Sequence, residues 1–231
     1  MQYELGRPYV SVSYAAGESY GGSQLLLPGR TEQAVGCGVV AALDLLLYLA
    51  RAHGDSVRLG GADVPRGEEA IPAADYARLA REVRRRYIPL IPGSGASGFT
   101  LAAGLNRCFR ANGLPYRAIW GVPYGRLWDE IGAMLAQDIP VVLSVGPNFP
   151  RLWQRHALRL YRDEDGAART PSADAARAHY VTVTGMDGEW LRVSSWGRAY
   201  EIRRDEYLAY VRAHSARLFS NILLIRRRTP N

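Results

Sequence analysis

The chain has 231 residues, 48% hydrophobic and 22% charged, which predicts one folded globular domain and excludes a disordered or collagen-like chain. Its formal net charge is +7, yet all 29 basic residues are arginine, and the clusters 84–86 and 226–228 lack the interleaved aromatic residues of a nucleic-acid surface. Two cysteines and four histidines without a CxxC pair argue against a disulfide framework or a metal site. We therefore expect no nucleic-acid partner, no metal and no cofactor.

The N-terminus has no basic segment followed by an apolar one, so no signal peptide is recognised. The longest apolar stretch, residues 39–50, is interrupted by Asp44 and is too short to span a bilayer. We expect a soluble, cytoplasmic protein with no membrane partner, unless an export signal was removed before the numbering begins.

The N-terminal half is predicted to be mainly helical. Residues 9–14 alternate as in a short strand, and a Gly/Ser-rich stretch follows at 17–23. A helix then begins at Gly36 or Cys37 and ends near His53, with apolar residues on nearly every face, so it should be buried all round. Further helices are predicted at about 73–86, from a Thr100 cap to Gly113, and at about 124–136.

The C-terminal half is predicted to be rich in strands. Strands are expected at 116–120, 139–145, 158–161, 180–186, 190–194, 199–203 and 218–225, with a short helix at 205–214. The rest of the segment 147–178 is polar and is expected to be irregular. Helices first and strands later predict an α+β protein rather than repeated βαβ units.

Two short motifs lack the structural context that their chemistry needs. Residues 17–21 match GxSxG, but no helix signal follows the serine, as a nucleophile elbow requires. Residues 93–98 match GxGxxG, but two prolines precede them and no acidic residue lies at the expected offset. We interpret residues 93–98 as a loop and expect neither a serine hydrolase site at the first motif nor a dinucleotide site at the second.

Cys37 stands between Gly36 and Gly38 at the start of the long apolar helix. Unpaired amides and the helix dipole at this position favour a thiolate, so a lowered pKa is expected for Cys37. The alternative is a small buried residue, as free cysteine often is.

His179 follows Cys37 by 142 residues and directly precedes the strand sequence YVTVTG. A histidine at a strand edge is a common general base for a thiol, and a side chain one strand away can hold its ring. The segment SSWG, residues 194–197, supplies that third position. The other three histidines lack this context and are interpreted as surface residues.

At these segments the chain resembles the papain-like cysteine peptidases, most closely the C39-like branch found in bacteria. GCGVVAALDLLLYL is similar to the nucleophile helix of that branch and AHYVTVTGM to its histidine strand. SSWG is similar to the NSWG segment of papain-type enzymes or to the Asp-Pro turn of the C39 type. The resemblance extends from about Tyr20 to Tyr210. It implies a single papain-like domain over residues 1–231, with a helical lobe facing an antiparallel sheet.

The resemblance also implies roles for two further side chains. The third catalytic position is Asn in papain-type and Asp in C39-type enzymes, whereas here it is Ser194 or Ser195. Counting back from Trp196 favours Ser194, because strand alternation puts Ser195 on the opposite face. For the oxyanion-hole glutamine, Gln24 is favoured over Gln33, which lies only four residues before Cys37.

The predicted function is hydrolysis of a peptide or amide bond in a peptide or protein substrate by Cys37, His179, Ser194 and Gln24. The alternative is an inactive papain-fold protein that binds a peptide in the same cleft. The sequence does not name the substrate.

Overall fold

The structure is a computed structural model that describes residues 2–164 and 168–228. The α-helices in this part of the chain are α1 (Arg30–Val35), α2 (Cys37–Ala52), α3 (Ala73–Arg86), α4 (Gly98–Ala111), α5 (Leu127–Leu135) and α6 (Arg204–His214). The strands are β1 (Gln2–Glu4), β2 (Ser11–Tyr14), β3 (Gly17–Tyr20), β4 (Arg58–Leu59), β5 (Ala62–Asp63), β6 (Ile71–Pro72), β7 (Tyr116–Trp120), β8 (Val141–Val145), β9 (Leu158–Glu164), β10 (Ala168–Ala176), β11 (His179–Asp187), β12 (Trp190–Ser195), β13 (Arg198–Arg203) and β14 (Ile222–Arg227). Short 3₁₀ turns occur at Gln24–Leu26 and Tyr124–Arg126.

The main sheet of the described chain has nine strands, and all its paired strands are antiparallel. Eight strands follow the order β10-β9-β13-β12-β11-β8-β14-β7, and β1 pairs with β11. Two smaller sheets are formed by β3-β2-β6 and by β4-β5. The protein is therefore α+β, as its sequence predicts.

Helix α2 is the central helix of the hydrophobic core. Every residue from Gly38 to Arg51 is buried, because α2 packs against α3 on one side and against β11 and β8 of the sheet on another. Its all-round apolar sequence requires such an environment. This packing brings the start of α2 close to the start of β11.

The predicted α2, α3 and β7 match the observed elements closely, whereas the cap of α4 and the segment of β10 differ from prediction. Ser97, not Thr100, caps α4, because the Ser97 hydroxyl accepts the Thr100 backbone N–H. Strand β10 lies in the segment expected to be irregular. Its polar sequence is stable as a strand because it is the outermost strand of the sheet and pairs with β9 alone.

Within residues 2–164 and 168–228, no helix is both long enough and apolar enough to cross a membrane.

Candidate functional site

Cys37 is the first residue of α2, and Gly36 before it allows α1 and α2 to lie close together. Gly36 separates α1 from α2, and a Cβ at this position would lie 2.1 Å from the Leu27 side chain and 2.5 Å from the Glu32 carbonyl oxygen. Only glycine therefore permits the close approach of the two helices. The Cys37 side chain is partly exposed.

The expected lowering of the Cys37 pKa is wrong. The backbone N–H groups of Cys37, Gly38 and Tyr180 stabilise the thiolate, but burial is the larger effect and raises the pKa of the Cys37 thiol. Cys108 is fully buried in α4, and burial raises its pKa to about 12. Both thiols are therefore mainly protonated at neutral pH.

His179 is the first residue of β11 and pairs with Val145 of β8. Its side chain is buried, and this burial lowers the pKa of the imidazole to about 4. The ring is neutral at pH 7 and can accept a proton there. One face of the ring stacks on Trp196, with 4.3 Å between the ring centroids and an angle of 17° between the planes.

The side chain that holds His179 is Ser195, and the expected role of Ser194 is wrong in this respect. His179 Nε2 lies 2.8 Å from the Ser195 Oγ, whereas the Ser194 hydroxyl donates to the Tyr20 carbonyl at 2.8 Å. The strand register is the cause. Thr182 of β11 pairs with Ser194 of β12, so Ser195 lies one position further, on the same sheet face as His179.

A tight turn between β12 and β13 places the Trp196 ring against His179. Trp196 and Gly197 have φ angles of 50° and 76°, as in the two central residues of a type I′ hairpin turn. Tyr20 donates its backbone N–H to the Gly197 carbonyl, which joins this turn to the end of β3. His179 is thus fixed by a hydroxyl at its edge and by an indole on its face.

Gln24 lines the same cavity as Cys37, whereas Gln33 does not. Gln33 instead donates its side-chain amide to the carbonyls of Leu25 and Leu27 and closes the preceding turn. Gln24 donates one N–H to the Gln33 carbonyl at 2.6 Å, and its Oε1 is buried with no hydrogen-bond partner among the described residues. A carboxamide has two N–H groups, so in the described chain one of them is engaged by Gln33 and a second is available as a donor.

Asp44 also lines this cavity, and sequence reasoning missed it. It follows Cys37 by seven residues, which is two helical turns, so both side chains lie on one face of α2. A carboxylate within an otherwise apolar helix was the signal in the sequence. Burial raises the pKa of Asp44 to about 6.

The cavity that these side chains share is narrow, with a volume of about 10 Å³. That volume is about what a single water molecule needs. Its lining contains a thiol at a helix N-terminus, a neutral imidazole that contacts a hydroxyl, and a carboxamide. These groups can supply a nucleophile, a proton acceptor and a donor to a developing oxyanion.

No protein-family model, curated protein or solved structure matches the chain. The assignment of a function therefore depends on the residues of the cavity and their geometry. In the described residues, no three side chains of His, Cys, Asp or Glu form a group that could hold a metal ion.

Proposed function

We propose that this protein is a papain-like cysteine peptidase or amidohydrolase with Cys37 as nucleophile and His179 as general base. The main support for this proposal is that Cys37, His179 and Gln24 line one cavity although they come from three separate parts of the chain. The helix that begins with the cysteine and the antiparallel sheet that supplies the histidine are consistent with a papain-like fold.

The ring nitrogens of His179 have different roles in this proposal. Nε2 is engaged by the Ser195 hydroxyl, so Nδ1 is the nitrogen that remains to accept a proton from Cys37. With the proton on Nε2, the ring donates to Ser195 Oγ and presents the Nδ1 lone pair. This tautomer is the reactive one, and the Ser195 hydroxyl is compatible with it because a hydroxyl can accept the Nε2–H.

The reaction begins with neutral partners, because burial disfavours both the thiolate and the imidazolium. The Cys37 thiol proton moves to His179 Nδ1 as the sulfur bonds to the substrate carbonyl carbon. The resulting oxyanion accepts hydrogen bonds from the Cys37 backbone N–H and the Gln24 carboxamide.

His179 then donates the proton to the leaving amine as the C–N bond breaks, which leaves a thioester on Cys37. A water molecule attacks this thioester while His179 accepts one of its protons. The C–S bond breaks, and that proton returns to the sulfur, so the enzyme is regenerated without a cofactor.

A Ser195→Ala substitution is expected to lower turnover of a fluorogenic peptide amide by less than about tenfold. The reason is that a neutral hydrogen bond contributes ~0.5–1.5 kcal/mol, and a serine carries no charge to stabilise an imidazolium. Ser195→Asn should restore or exceed the original rate. Steady-state kinetics of both variants would test this, with Ser194→Ala as the matched control.

Ser194→Ala removes a bond to the Tyr20 carbonyl rather than to His179. A pH profile of turnover that shifts in Ser194→Ala but not in Ser195→Ala would contradict the assignment of Ser195.

The proposed nucleophile can be tested by labelling without knowing the substrate. A peptidyl vinyl sulfone should modify Cys37 and leave Cys108 unmodified, because Cys108 is fully buried while Cys37 is partly exposed. We expect Cys37 to react more than ~10-fold faster, as measured by mass mapping of the intact and digested protein. Equal labelling of both cysteines, or labelling of Cys108 first, would refute Cys37 as nucleophile.

An inactive peptide-binding protein is the second candidate. The raised pKa of Cys37 and the His179 pKa of about 4 favour it, because neither group is charged at neutral pH. In such a protein Cys37 would react with iodoacetamide at the rate of an ordinary, partly exposed thiol and would show no preference for the peptidyl reagent. In either case we propose a peptide or protein as partner and the cytoplasm as location.

A further inference from the structure

Asp44 is a buried carboxylate with three hydrogen-bond donors from other segments of the chain. Its side chain accepts the Tyr76 hydroxyl at 2.7 Å, the Tyr9 hydroxyl at 3.3 Å and the Gly22 backbone N–H at 3.0 Å. Asp44 is 1% exposed. No arginine forms an ion pair with it in the described chain, so hydrogen bonds are its direct contacts to polar groups.

Such a site costs stability, because taking a carboxylate out of water without an ion pair is unfavourable. The titratable and charged groups near Asp44 are Tyr76 of α3, Tyr9 before β2, and Arg51 two turns further along α2. Cys37 and His179 line the same cavity as Asp44. Arg51 favours the charged form only at a distance. The burial of Asp44 is therefore not explained by its contribution to stability.

The segment that Asp44 holds leads directly into Gln24. A Cβ on Gly21 would lie 2.2 Å from Ser194 Oγ and 2.8 Å from Asp44 Oδ2, and one on Gly22 would lie 1.9 Å from the Tyr76 hydroxyl. The absence of side chains at both positions lets the backbone approach Asp44 closely. Gly22 is only two residues before Gln24, whose side chain borders Cys37 in the cavity.

We propose that Asp44 is a positioning residue that anchors the Gly22 backbone and thereby holds the Gln24 carboxamide beside Cys37. The anchoring itself does not depend on catalysis, whereas its effect on turnover rests on the proposed function. Because an ionised carboxylate accepts hydrogen bonds more strongly than a neutral acid, the anchor tightens when Asp44 loses its proton. With a pKa of about 6, Asp44 is mostly ionised at neutral pH, so the anchor is tightest there and loosens as the pH falls.

Amide NMR signals test the anchor directly. In the ¹H–¹⁵N spectrum of the unaltered protein, the Gly22 backbone signal and the Gln24 side-chain signals should titrate together with a midpoint near pH 6. In Asp44→Asn this titration should disappear and both sets of signals should shift. The Gln33 side-chain signals should move less, because Gln33 is held by Leu25 and Leu27.

Kinetics separate positioning from a general structural effect. If the chain hydrolyses a fluorogenic peptide amide, Asp44→Asn should lower kcat by about 10–100-fold with KM within about twofold, a loss smaller than that of a whole oxyanion donor. Alkylation of Cys37 by iodoacetamide needs no oxyanion donor and should change by less than about threefold. The matched control is Glu201→Gln, which changes another buried carboxylate, one that pairs with Arg169.

The outcomes are distinct. Gly22 and Gln24 signals that do not titrate near pH 6 in the unaltered protein would overturn the anchor, whether or not the variant folds. Titrating signals with unchanged kcat in Asp44→Asn would overturn the positioning role. Titrating signals in a protein that hydrolyses no peptide and resists the peptidyl vinyl sulfone would support the anchor and refute the proposed function.

Discussion

A His179→Ala substitution is expected to slow the labelling of Cys37 by a peptidyl vinyl sulfone about 10²–10⁴-fold, the usual contribution of a general base. The Cys37 thiol is protonated at neutral pH because burial raises its pKa, so its reactivity depends on a nearby proton acceptor. His179 is neutral at that pH and can take the proton. Turnover of a peptide amide should fall by a similar factor.

The matched control for this prediction is His214→Ala. His214 stacks on His156 with 4.0 Å between the ring centroids and does not line the cavity, so its removal should leave the labelling rate unchanged. Cys37→Ala gives the zero baseline. A His179→Ala protein that labels as fast as the original would show that Cys37 reacts without assistance, and the inactive binding protein would become the better proposal.

The order and type of the secondary structure could be predicted well from the sequence, because the strongest patterns lie in buried elements. Helix α2 was recognisable from its all-round apolar surface, and β8 from its run of β-branched residues. Strand β10 was not recognisable from the sequence, because its residues are polar and form a strand only by pairing with β9. Tertiary pairing of this kind leaves no local signal.

The candidate site was predicted in part. The positions of Cys37 and His179 follow from a helix start and a strand start, which are local features. The choice between Ser194 and Ser195 depends on the register between β11 and β12, which counting along one strand does not give. The pKa of Cys37 was mispredicted because the helix N-terminus is visible in the sequence while burial is not.

The pH dependence of stability should show two opposite contributions from this cavity. Between pH 4 and about 6 the folded protein keeps a proton on Asp44 that the unfolded chain has lost, since the pKa rises from 3.8 to about 6 on folding. The Asp44 contribution to the free energy of unfolding therefore falls as pH rises, by ~3 kcal/mol at ~1.4 kcal/mol per pH unit. His179 acts in the opposite direction.

The unfolded chain protonates His179 near pH 6.5, whereas the folded protein does so only near pH 4. Its contribution is present above pH 6.5 and is lost, again by ~3 kcal/mol, as pH falls to 4. The two contributions nearly cancel in the unaltered protein. Replacing either residue alone should therefore make the free energy of unfolding depend on pH, with opposite sign for the two substitutions.

In Asp44→Asn, the free energy of unfolding should fall by ~3 kcal/mol more than in the unaltered protein when the pH is lowered from 6.5 to 4. In His179→Gln it should instead rise by ~3 kcal/mol relative to the unaltered protein over the same range, because only the Asp44 contribution remains. Urea unfolding at several pH values measures the free energy of unfolding of each variant. The double variant shows how that free energy depends on pH through all other groups. If the free energy of unfolding depended on pH in the same way in both single variants, the burial of these groups would be contradicted. A solvated Asp44 or His179 keeps its ordinary pKa on folding and therefore adds nothing to the pH dependence of stability.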